Sequence, residues 1–252
     1  MTEKLVGILG GMGPFASAEF VNTIYEENIP KVSEQESPRI VLSSDPSIPD
    51  RTMSILANQR VEIVRHLLKG WKMLRASGAE IFVIPCMTSH YYWHLYPKEM
   101  QEQTVNLVDF VRLILSQERK TYLLLATQGT YESGLLSSEQ VLIPNAQDKL
   151  RIHQLIYSIK CSGRNSTILE KVRYEIEKLL VRYQADGWIF GCTEFHLLTK
   201  QMMKQEDPNL RILDPLLLLA KNWRGLEGIL KPSTPQLPLF IDRGGIKQCF
   251  KR

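Results

Sequence analysis

The stretches "IFVIPCMTSH" (residues 81–90) and "WIFGCTEFH" (residues 188–196) share one pattern. In each, an apolar run ends in a cysteine, and hydroxyl-bearing, acidic or imidazole side chains follow within a few residues. A continuous apolar run is typical of a strand in a parallel sheet, because both faces of such a sheet are covered. Cys86 and Cys192 are therefore predicted to lie at the carboxyl ends of two parallel strands, where ligands bind in open α/β sheets.

Similar apolar runs alternate with amphipathic segments along the chain. Strands are predicted at 5–10, 39–44, 81–85, 121–126, 188–191 and 211–214, with a weaker candidate at 150–154. Helical periodicity is found at 15–28, 52–77, 98–117 and 164–184. Strands separated by helices favour parallel sheets that are flanked by helices on both faces.

The strand–helix pattern runs twice, and the sequence changes in character near residues 117–120. This predicts an α/β fold of two similar domains, each a parallel sheet flanked by helices, pseudo-symmetric, with the active site in the cleft between them. The first domain is predicted to comprise residues 1–116 and a returning segment, 215–252. The second comprises residues 117–214. The Pro- and Gly-rich tail 231–252 is interpreted as an irregular wrap over the surface.

The composition excludes several classes of protein. Of 252 residues, 44% are hydrophobic and 23% are charged, which is ordinary for a globular chain. The net charge of +4 is scattered without a basic stripe, so nucleic-acid binding is not expected. No apolar run approaches the roughly 18 residues that span a bilayer, and the start of the chain does not resemble a secretory signal. We expect a cytoplasmic protein whose four cysteines, lacking CxxC spacing, are free thiols.

A glycine loop offers one alternative function. Gly11-Met-Gly13-Pro-Phe-Ala16 fits the dinucleotide pattern G-x-G-x-x-G/A after a strand. It also fits a plain glycine turn with Pro14 at the first helical position, and the free N–H groups of a helix start suit a carboxylate as well as a phosphate. Asp45, the acid after the next strand, lies later than the spacing of about 20 residues expected of a ribose-binding acid.

Zinc binding and simple burial are the next two alternatives for the cysteines. The spacings Cys86-x-x-x-His90 and Cys192-x-x-x-His196 could supply two thiolates and two imidazoles to zinc, although tight CxxC knuckles are absent. Cysteine is also a common small buried residue. Burial explains either cysteine alone, but not why both stand at strand ends before polar residues.

Paired acid–base chemistry explains both positions. A thiolate on one face of a carbon acid and a thiol on the other can remove and replace the same proton. Helix N-termini after each cysteine would lower the thiol pKa, and Thr88 and Thr193 could donate hydrogen bonds to a thiolate. An acid and a base of the same residue type suit a reaction that runs equally in both directions, such as inversion of a stereocentre.

Five motifs, in order, resemble the aspartate/glutamate racemase superfamily, most closely its cofactor-independent aspartate racemases. They are "GILGGMGP" (7–14), "EQESPRIVLSSDPSIPDRT" (34–52), "PCMTSH" (85–90), "LLATQGT" (124–130) and "GCTE" (191–194). The resemblance covers residues from about 5 to 225. It implies two α/β domains with one catalytic cysteine from each, no cofactor, no metal, and a homodimer.

The resemblance also implies roles for individual residues. Cys86 and Cys192 match the two catalytic cysteines, while Arg51 and Lys160 match the cations that bind substrate carboxylates. Without the motifs, both cations would be taken as solvated surface charges. The remaining predicted substrate-binding residues are Met12, Asp45, Met87, Thr88, Thr127, Gly129, Thr130 and Thr193. Glu194 and His90 are predicted as catalytic helpers that tune the protonation of the thiols.

Three departures from the family's pattern bear on the substrate. Met87 stands where the usual PCNTAH has an asparagine, Asp45 where an asparagine is usual, and Gln128 where a threonine is common. Losing one polar contact costs about 1–3 kcal/mol if its partner stays buried. Asp45 could instead pair with a substrate ammonium group. The two cysteines that would transfer the proton are unaffected.

The sequence therefore favours a racemase that interconverts L- and D-aspartate, with a dicarboxylic amino acid as its small-molecule partner. Within the same fold, the alternatives are a racemase of glutamate or another amino acid, a maleate isomerase, or a decarboxylase. From a different class, a non-catalytic amino-acid-binding or zinc-binding module remains open.

Overall fold

The structure is a computed structural model that describes residues 4–117, 119–203 and 211–230. These residues form two parallel four-stranded sheets flanked by helices, which confirms the predicted α/β fold class. The strands are β1 (Val6–Gly10), β2 (Ile40–Ser44), β3 (Ile81–Val83), β4 (Thr104–Val105), β5 (Tyr122–Leu125), β6 (Val141–Leu142), β7 (Gly187–Phe190) and β8 (Ile212–Leu213). Within these ranges, no helix is both long and apolar enough to cross a bilayer.

Helices cover the faces of both sheets. They are α1 (Pro14–Glu27), α2 (Arg51–Leu56), α3 (Arg60–Ala76), α4 (Lys98–Gln103), α5 (Leu107–Ser116), α6 (Gln128–Ser133), α7 (Ala146–Ser162), α8 (Ser166–Tyr183), α9 (Phe195–Met202), α10 (Pro215–Lys221) and α11 (Leu226–Leu230). Short 3₁₀ helices occupy Glu34–Glu36, Met87–Leu95 and Trp223–Gly225.

The two sheets have the same internal order. The first runs β2-β1-β3-β4 and the second β6-β5-β7-β8, with every pairing parallel. The third strand of each half in chain order, β3 or β7, thus lies beside the first, β1 or β5. The two cysteine stretches follow these equivalent strands, so the doubled sequence pattern reflects a doubled topology.

The apolar runs that predict the strands also explain the packing of the halves. All residues of β1, β3, β5 and β7 are buried. One buried apolar cluster contains Ile8 and Val83 from the first sheet together with Leu124 and Ile189 from the second. The two sheets therefore share part of one core, and this shared core holds their carboxyl ends in a fixed relation.

The chain returns to the first sheet near its described end. α10 packs against α1 and α5. Asp214 caps α10, because its carboxylate accepts hydrogen bonds from the N–H groups of Leu216 (2.9 Å) and Leu217 (3.3 Å). The predicted domain boundaries at 116–117 and 214–215 stay a prediction, and the tail 231–252 lies outside the described residues.

Several predicted elements differ from the structure. The candidate strand at 150–154 is wrong: it lies inside α7, whose buried side chains Ile152, Leu155, Ile156 and Ile159 follow helical spacing. The long helix predicted at 52–77 is two helices, which are separated near Asn58, a residue in the left-handed region (φ 54°). The helix predicted at 98–117 is interrupted by β4. β4 and β6 have two residues each, too few to show a periodicity.

The glycine loop after β1 gives a test of the fold. Gly11 has a φ of 92°, and a Cβ there would lie 2.4 Å from the backbone of Asp45. We expect Gly11→Ala to lower the free energy of unfolding by about 2 kcal/mol or more, because left-handed strain and steric overlap add. Urea denaturation measures this change.

Gly225→Ala is the matched control, because a Cβ at Gly225 meets no heavy atom within 4 Å. Its free energy of unfolding should stay within about 0.5 kcal/mol of the wild-type value. Similar small effects in both variants would contradict the close approach of Gly11 to the backbone of Asp45.

Candidate active site

Cys86 and Cys192 lie at equivalent strand ends and face one cavity. Cys86 follows the end of β3 at Val83, and Cys192 follows the end of β7 at Phe190. Both thiols are buried. The cavity is lined by Met12, Asp50, Arg51, Thr52, Cys86, Met87, Thr88, Thr127, Lys160, Cys192, Thr193 and Glu194. Its free volume is about 10 Å³, enough for about one water molecule.

Hydroxyl groups join the two halves beside the cysteines. The Thr193 hydroxyl donates to the carbonyl of Pro85 (2.9 Å), and Thr88 Oγ1 lies 2.8 Å from Thr130 Oγ1. Thr127 Oγ1 lies 3.3 Å from Thr88 Oγ1. Thr193 thus donates to a carbonyl and not to a thiolate as expected, whereas the Thr88 hydroxyl pairs with threonine hydroxyls in which either group can be the donor.

The Cys192 thiol is held in its protonated form. Its S–H donates to Glu194 Oε2 over 2.9 Å. Burial raises the pKa of Cys192, the Glu194 charge raises that pKa further, and Lys160 opposes both effects without cancelling them. Glu194 thus fits the predicted role of a residue that tunes the second thiol.

Arg51 begins α2 and is held by backbone carbonyls. Its Nη1 donates to Ile48 (3.2 Å) and Pro49 (3.0 Å), and its Nη2 donates to Met12 (3.1 Å). A guanidinium group carries five N–H donors, so these three bonds leave two. One of the two is Nε–H, which is buried and has no partner among the described residues. The orientation of Arg51 is therefore fixed while donors remain for a ligand.

The charge of Arg51 is coupled to the first cysteine. Burial lowers the pKa of Arg51, but negative charge at Cys86, Asp50 and Glu194 raises it above its ordinary value. Arg51 is consequently a permanent cation next to the Cys86 sulfur. Arginine in such a position favours an anionic neighbour.

Lys160 supplies a second, partly buried cation. It lies in the last turn of α7, 4.0 Å from Asp50 Oδ2 and 4.6 Å from the ring centre of Tyr157. Burial lowers the pKa of Lys160, whereas Glu194 and Cys192 raise it, and the net direction is upward. The structure thus brings both predicted cations, Arg51 and Lys160, to one cavity.

Three residues near the cations were not predicted. Asp50 and Thr52 line the cavity, and the Tyr157 hydroxyl donates to Asp50 Oδ2 (2.7 Å). Burial and Asp50 raise the pKa of Tyr157 to about 12. The signal available for Asp50 was its place before Arg51, since Asp is a preferred N-cap and Oδ1 accepts from Met53 N–H (2.9 Å). For Tyr157, one turn before Lys160, no local signal existed.

Asp45 and His90 do not lie where the sequence placed them. The Asp45 carboxylate accepts from the Ser47 hydroxyl (2.6 Å) and N–H (2.9 Å), which lower its pKa, and it does not line the cavity. His90 Nε2 accepts from Leu107 N–H (3.1 Å), and Nδ1 lies 3.0 Å from the Cys86 carbonyl. Burial lowers the pKa of His90, so the neutral ring supports the Cys86 backbone rather than its thiol.

Gly129 and Thr130 contact residues that line the cavity. A Cβ at Gly129 would lie 2.9 Å from Thr52 Cα, so the glycine permits α6 to approach α2. The Thr130 hydroxyl contacts Thr88, which itself lines the cavity. Both residues are thus near the predicted site without lining it.

Neither imidazole of the predicted zinc site, His90 or His196, points toward the cysteines. His90 is turned to the backbone, and the His196 ring lies between Thr23 and Asp214. Among the residues that the structure describes, no group of three or more His, Cys, Asp or Glu side chains is arranged to hold a metal ion.

A second, larger cavity adjoins the first. Its volume is about 260 Å³, and it shares Asp50, Arg51, Lys160 and Glu194 with the inner cavity. The rest of its lining is glycine and apolar: Gly11, Gly13, Pro14, Phe15, Ala16, Pro46, Ile48, Ile159 and Leu197. The four charged residues therefore stand between an inner space at the thiols and an outer, mostly apolar space.

Comparison with known proteins identifies the family of the chain. The sequence profile of the Asp/Glu/hydantoin racemase family matches residues 9–222. The chain belongs to this family. A broad specificity amino-acid racemase, RacX, of Bacillus subtilis is 22% identical over 232 residues, which cover 86% of this chain and 96% of RacX.

Solved structures of the family share the fold. An aspartate racemase of Picrophilus torridus is 25% identical with a TM-score of 0.72, covering 88% of this chain and 94% of its own. An aspartate racemase homologue from Pyrococcus horikoshii (23%, TM-score 0.62) covers 90% of this chain and 100% of its own. A glutamate racemase from Francisella tularensis (17%, TM-score 0.56) covers 92% and 84%.

The Glu194–Cys192 contact predicts a change in thiol reactivity. Because the Glu194 charge raises the pKa of Cys192, Glu194→Gln should let Cys192 form a thiolate at lower pH. Lys160→Met should shift the onset to higher pH, because Lys160 lowers that pKa. Alkylation of Cys192 by iodoacetamide across a pH series, read by mass spectrometry of the peptide, measures both shifts.

Glu227→Gln serves as the control, since Glu227 pairs with Lys4 on the surface. Its alkylation profile at Cys192 should match that of the wild type. An unchanged profile in Glu194→Gln would contradict the electrostatic role of Glu194.

Proposed function

We propose that this chain is a cofactor-independent amino-acid racemase that interconverts L- and D-aspartate. One observation carries the proposal: two cysteines from equivalent strand ends of two sheets line a single cavity that also contains two cations. A racemase needs an acid and a base on opposite faces of one carbon, and this arrangement can supply both from one residue type.

The environments of the two thiols assign their roles. Cys86 lies beside Arg51 and is assigned the removal of the α-proton from one enantiomer. Cys192, protonated against Glu194, gives its proton to the opposite face of the carbanion. One C–H bond breaks and one forms, and the enzyme is left with a Cys86 thiol and a Cys192 thiolate, the form that acts on the other enantiomer.

Cations at the cavity stabilise the developing charge. Deprotonation moves negative charge into the α-carboxylate, and fixed cations in a water-poor site stabilise this charge more than bulk water does. Arg51 has two N–H donors left for one carboxylate, and Lys160 is placed for the second. A dicarboxylic amino acid uses both cations.

Glu194 supplies a contact for the ammonium group. Its Oε1 atom is buried without a partner among the described residues, which is unusual unless a ligand completes it. Met87 is buried at the cavity where the family's pattern has an amide. An ammonium bound at Glu194 Oε1 stays charged and makes the α-hydrogen more acidic, so Glu194 takes over a polar contact that Met87 cannot make.

Proton NMR in D₂O tests the reaction directly. With no cofactor added, the wild type should wash out the α-proton signal of both L- and D-aspartate, and chiral analysis should show interconversion. Cys86→Ala and Cys192→Ala should each lower racemisation by about a hundredfold or more, because each removes one proton-transfer group.

Cys161→Ala is the control, because Cys161 is exposed and outside the cavity. It should racemise at the wild-type rate. Binding of aspartate without exchange of its α-proton would instead support a non-catalytic amino-acid-binding module.

The outer cavity favours a second substrate class. The inner space of about 10 Å³ is too small for a whole amino acid, so a bound amino acid would extend past the charged residues into the space of about 260 Å³. The outer walls are mostly apolar, so they fit longer uncharged side chains as well as a carboxylate. A relative, RacX, is named for broad specificity, which agrees with such a range.

Phe15 allows the substrate range to be tested. It lines the outer cavity and is half exposed, so Phe15→Trp can fill the space without disturbing the core. With methionine as a test substrate of longer, uncharged side chain, Phe15→Trp should lower the rate of α-proton exchange about tenfold or more relative to the rate with aspartate. Tyr25→Trp, on the same helix but outside the cavity, is the control. Equal loss for both substrates would show that the outer cavity is only an entry path.

A further inference from the structure

A buried chain of hydrogen bonds lies next to the site and takes no part in the reaction described above. His196 Nδ1 lies 2.7 Å from Asp214 Oδ2, and His196 Nε2 lies 2.9 Å from Thr23 Oγ1. All three side chains are at most 1% exposed. Thr23 is in α1, His196 is in the first turn of α9, and Asp214 caps α10, so the chain joins three helices.

The order of the three groups resembles a hydrolytic triad, but the position does not allow that role. Thr23 lines neither cavity, and its hydroxyl has no access to solvent. The Asp214 carboxylate accepts a hydrogen bond from Nδ1 of the imidazole, and Nε2 shares a hydrogen bond with the Thr23 hydroxyl. The chain orients groups rather than reacting with a substrate.

The orientation matters because His196 closes the segment that carries the second cysteine. Residues 192–196 include Cys192 and Glu194, and the N–H of His196 donates to the Thr193 carbonyl (3.1 Å). At one end of the segment, Thr193 bonds to Pro85, next to Cys86. At the other end, His196 bonds to Thr23 of α1. Two hydrogen bonds to the first half therefore fix this segment, one directly after Cys192 and one two residues after Glu194.

We propose that His196 is a positioning residue: through Thr23 and Asp214, it sets the place of Cys192 and Glu194 relative to Cys86. This inference rests on the proposed racemase function. Burial raises the pKa of Asp214, but His196 and backbone N–H groups lower it more, so its net pKa lies below the ordinary value. Asp214 is therefore suited to orient the imidazole. The imidazole also packs edge-to-face with the Phe20 ring, and the two ring centres are 6.4 Å apart.

Removal of the Thr23 hydroxyl tests the proposal while keeping the shape of the side chain. Thr23→Val should lower kcat about tenfold or more, because small displacements of reacting groups are costly, and should change KM less than about twofold. Exchange of the enantiomer whose proton is removed by Cys192 should fall more than exchange of the other. Thr23→Ser, which keeps the hydroxyl, should restore both rates.

Glu26→Gln is the matched control. Glu26 pairs with Lys200 and so joins the same two helices, α1 and α9, on the surface. If it reproduces the loss seen in Thr23→Val, or if Thr23→Val slows the α-proton exchange of both enantiomers equally, the contact is only a general support between helices and the proposal fails. Melting temperatures of all variants show whether folding contributes.

A second readout separates this proposal from the racemase function. The ratio of alkylation at Cys192 to that at Cys86 is measured in wild type and Thr23→Val, independently of turnover. If the wild type exchanges no α-proton, the racemase function fails, and a changed ratio in Thr23→Val alone still supports the positioning of Cys192. An unchanged ratio overturns the proposal.

Discussion

The hydrogen bond from the Thr193 hydroxyl to the Pro85 carbonyl joins the two sheets at the point where their chemistry lies. Pro85 precedes Cys86 and Thr193 follows Cys192, so one contact of 2.9 Å relates both sulfur atoms. Threonine hydroxyls at 88, 127 and 130 add a second crossing nearby. Because these bonds are buried, breaking one leaves polar groups unpaired, and the separation of the cysteines is correspondingly well determined.

A pseudo-symmetric fold supplies two similar thiols, and unlike neighbours make them different. Cys86 has the Arg51 guanidinium next to it, whereas Cys192 donates to the Glu194 carboxylate. The same residue type therefore stands in two different electrostatic environments, one beside a cation and one beside a carboxylate. Lys160 lowers the pKa of the second thiol, and in the proposed racemase this would help the two roles to reverse within one catalytic cycle.

The sequence predicted those features of the fold and the site that depend on local patterns of residues. Both cysteines, both cations and the doubled sheet follow from apolar runs and short motifs, and the structure brings these residues together. Asp45 and His90 were misplaced because hydrogen bonds to Ser47 and Leu107 decide where their side chains point, and no pattern encodes such bonds. The domain boundaries and the homodimer stay predictions.

In the proposed racemase, substrate choice would depend on how Lys160 is shared between Asp50 and the substrate. In the structure Lys160 lies 4.0 Å from Asp50, so a substrate with a second carboxylate must draw the ammonium away from that partner. Leaving the partly buried Asp50 carboxylate unpaired has a cost. Asp50, however, keeps the Tyr157 hydroxyl and the Met53 N–H as donors when Lys160 moves, and this lowers the cost. A substrate with an uncharged side chain leaves the Lys160–Asp50 pair intact and extends past it into the apolar outer cavity. The same four charged residues can thus serve both classes, and the strength of one ion pair decides between them.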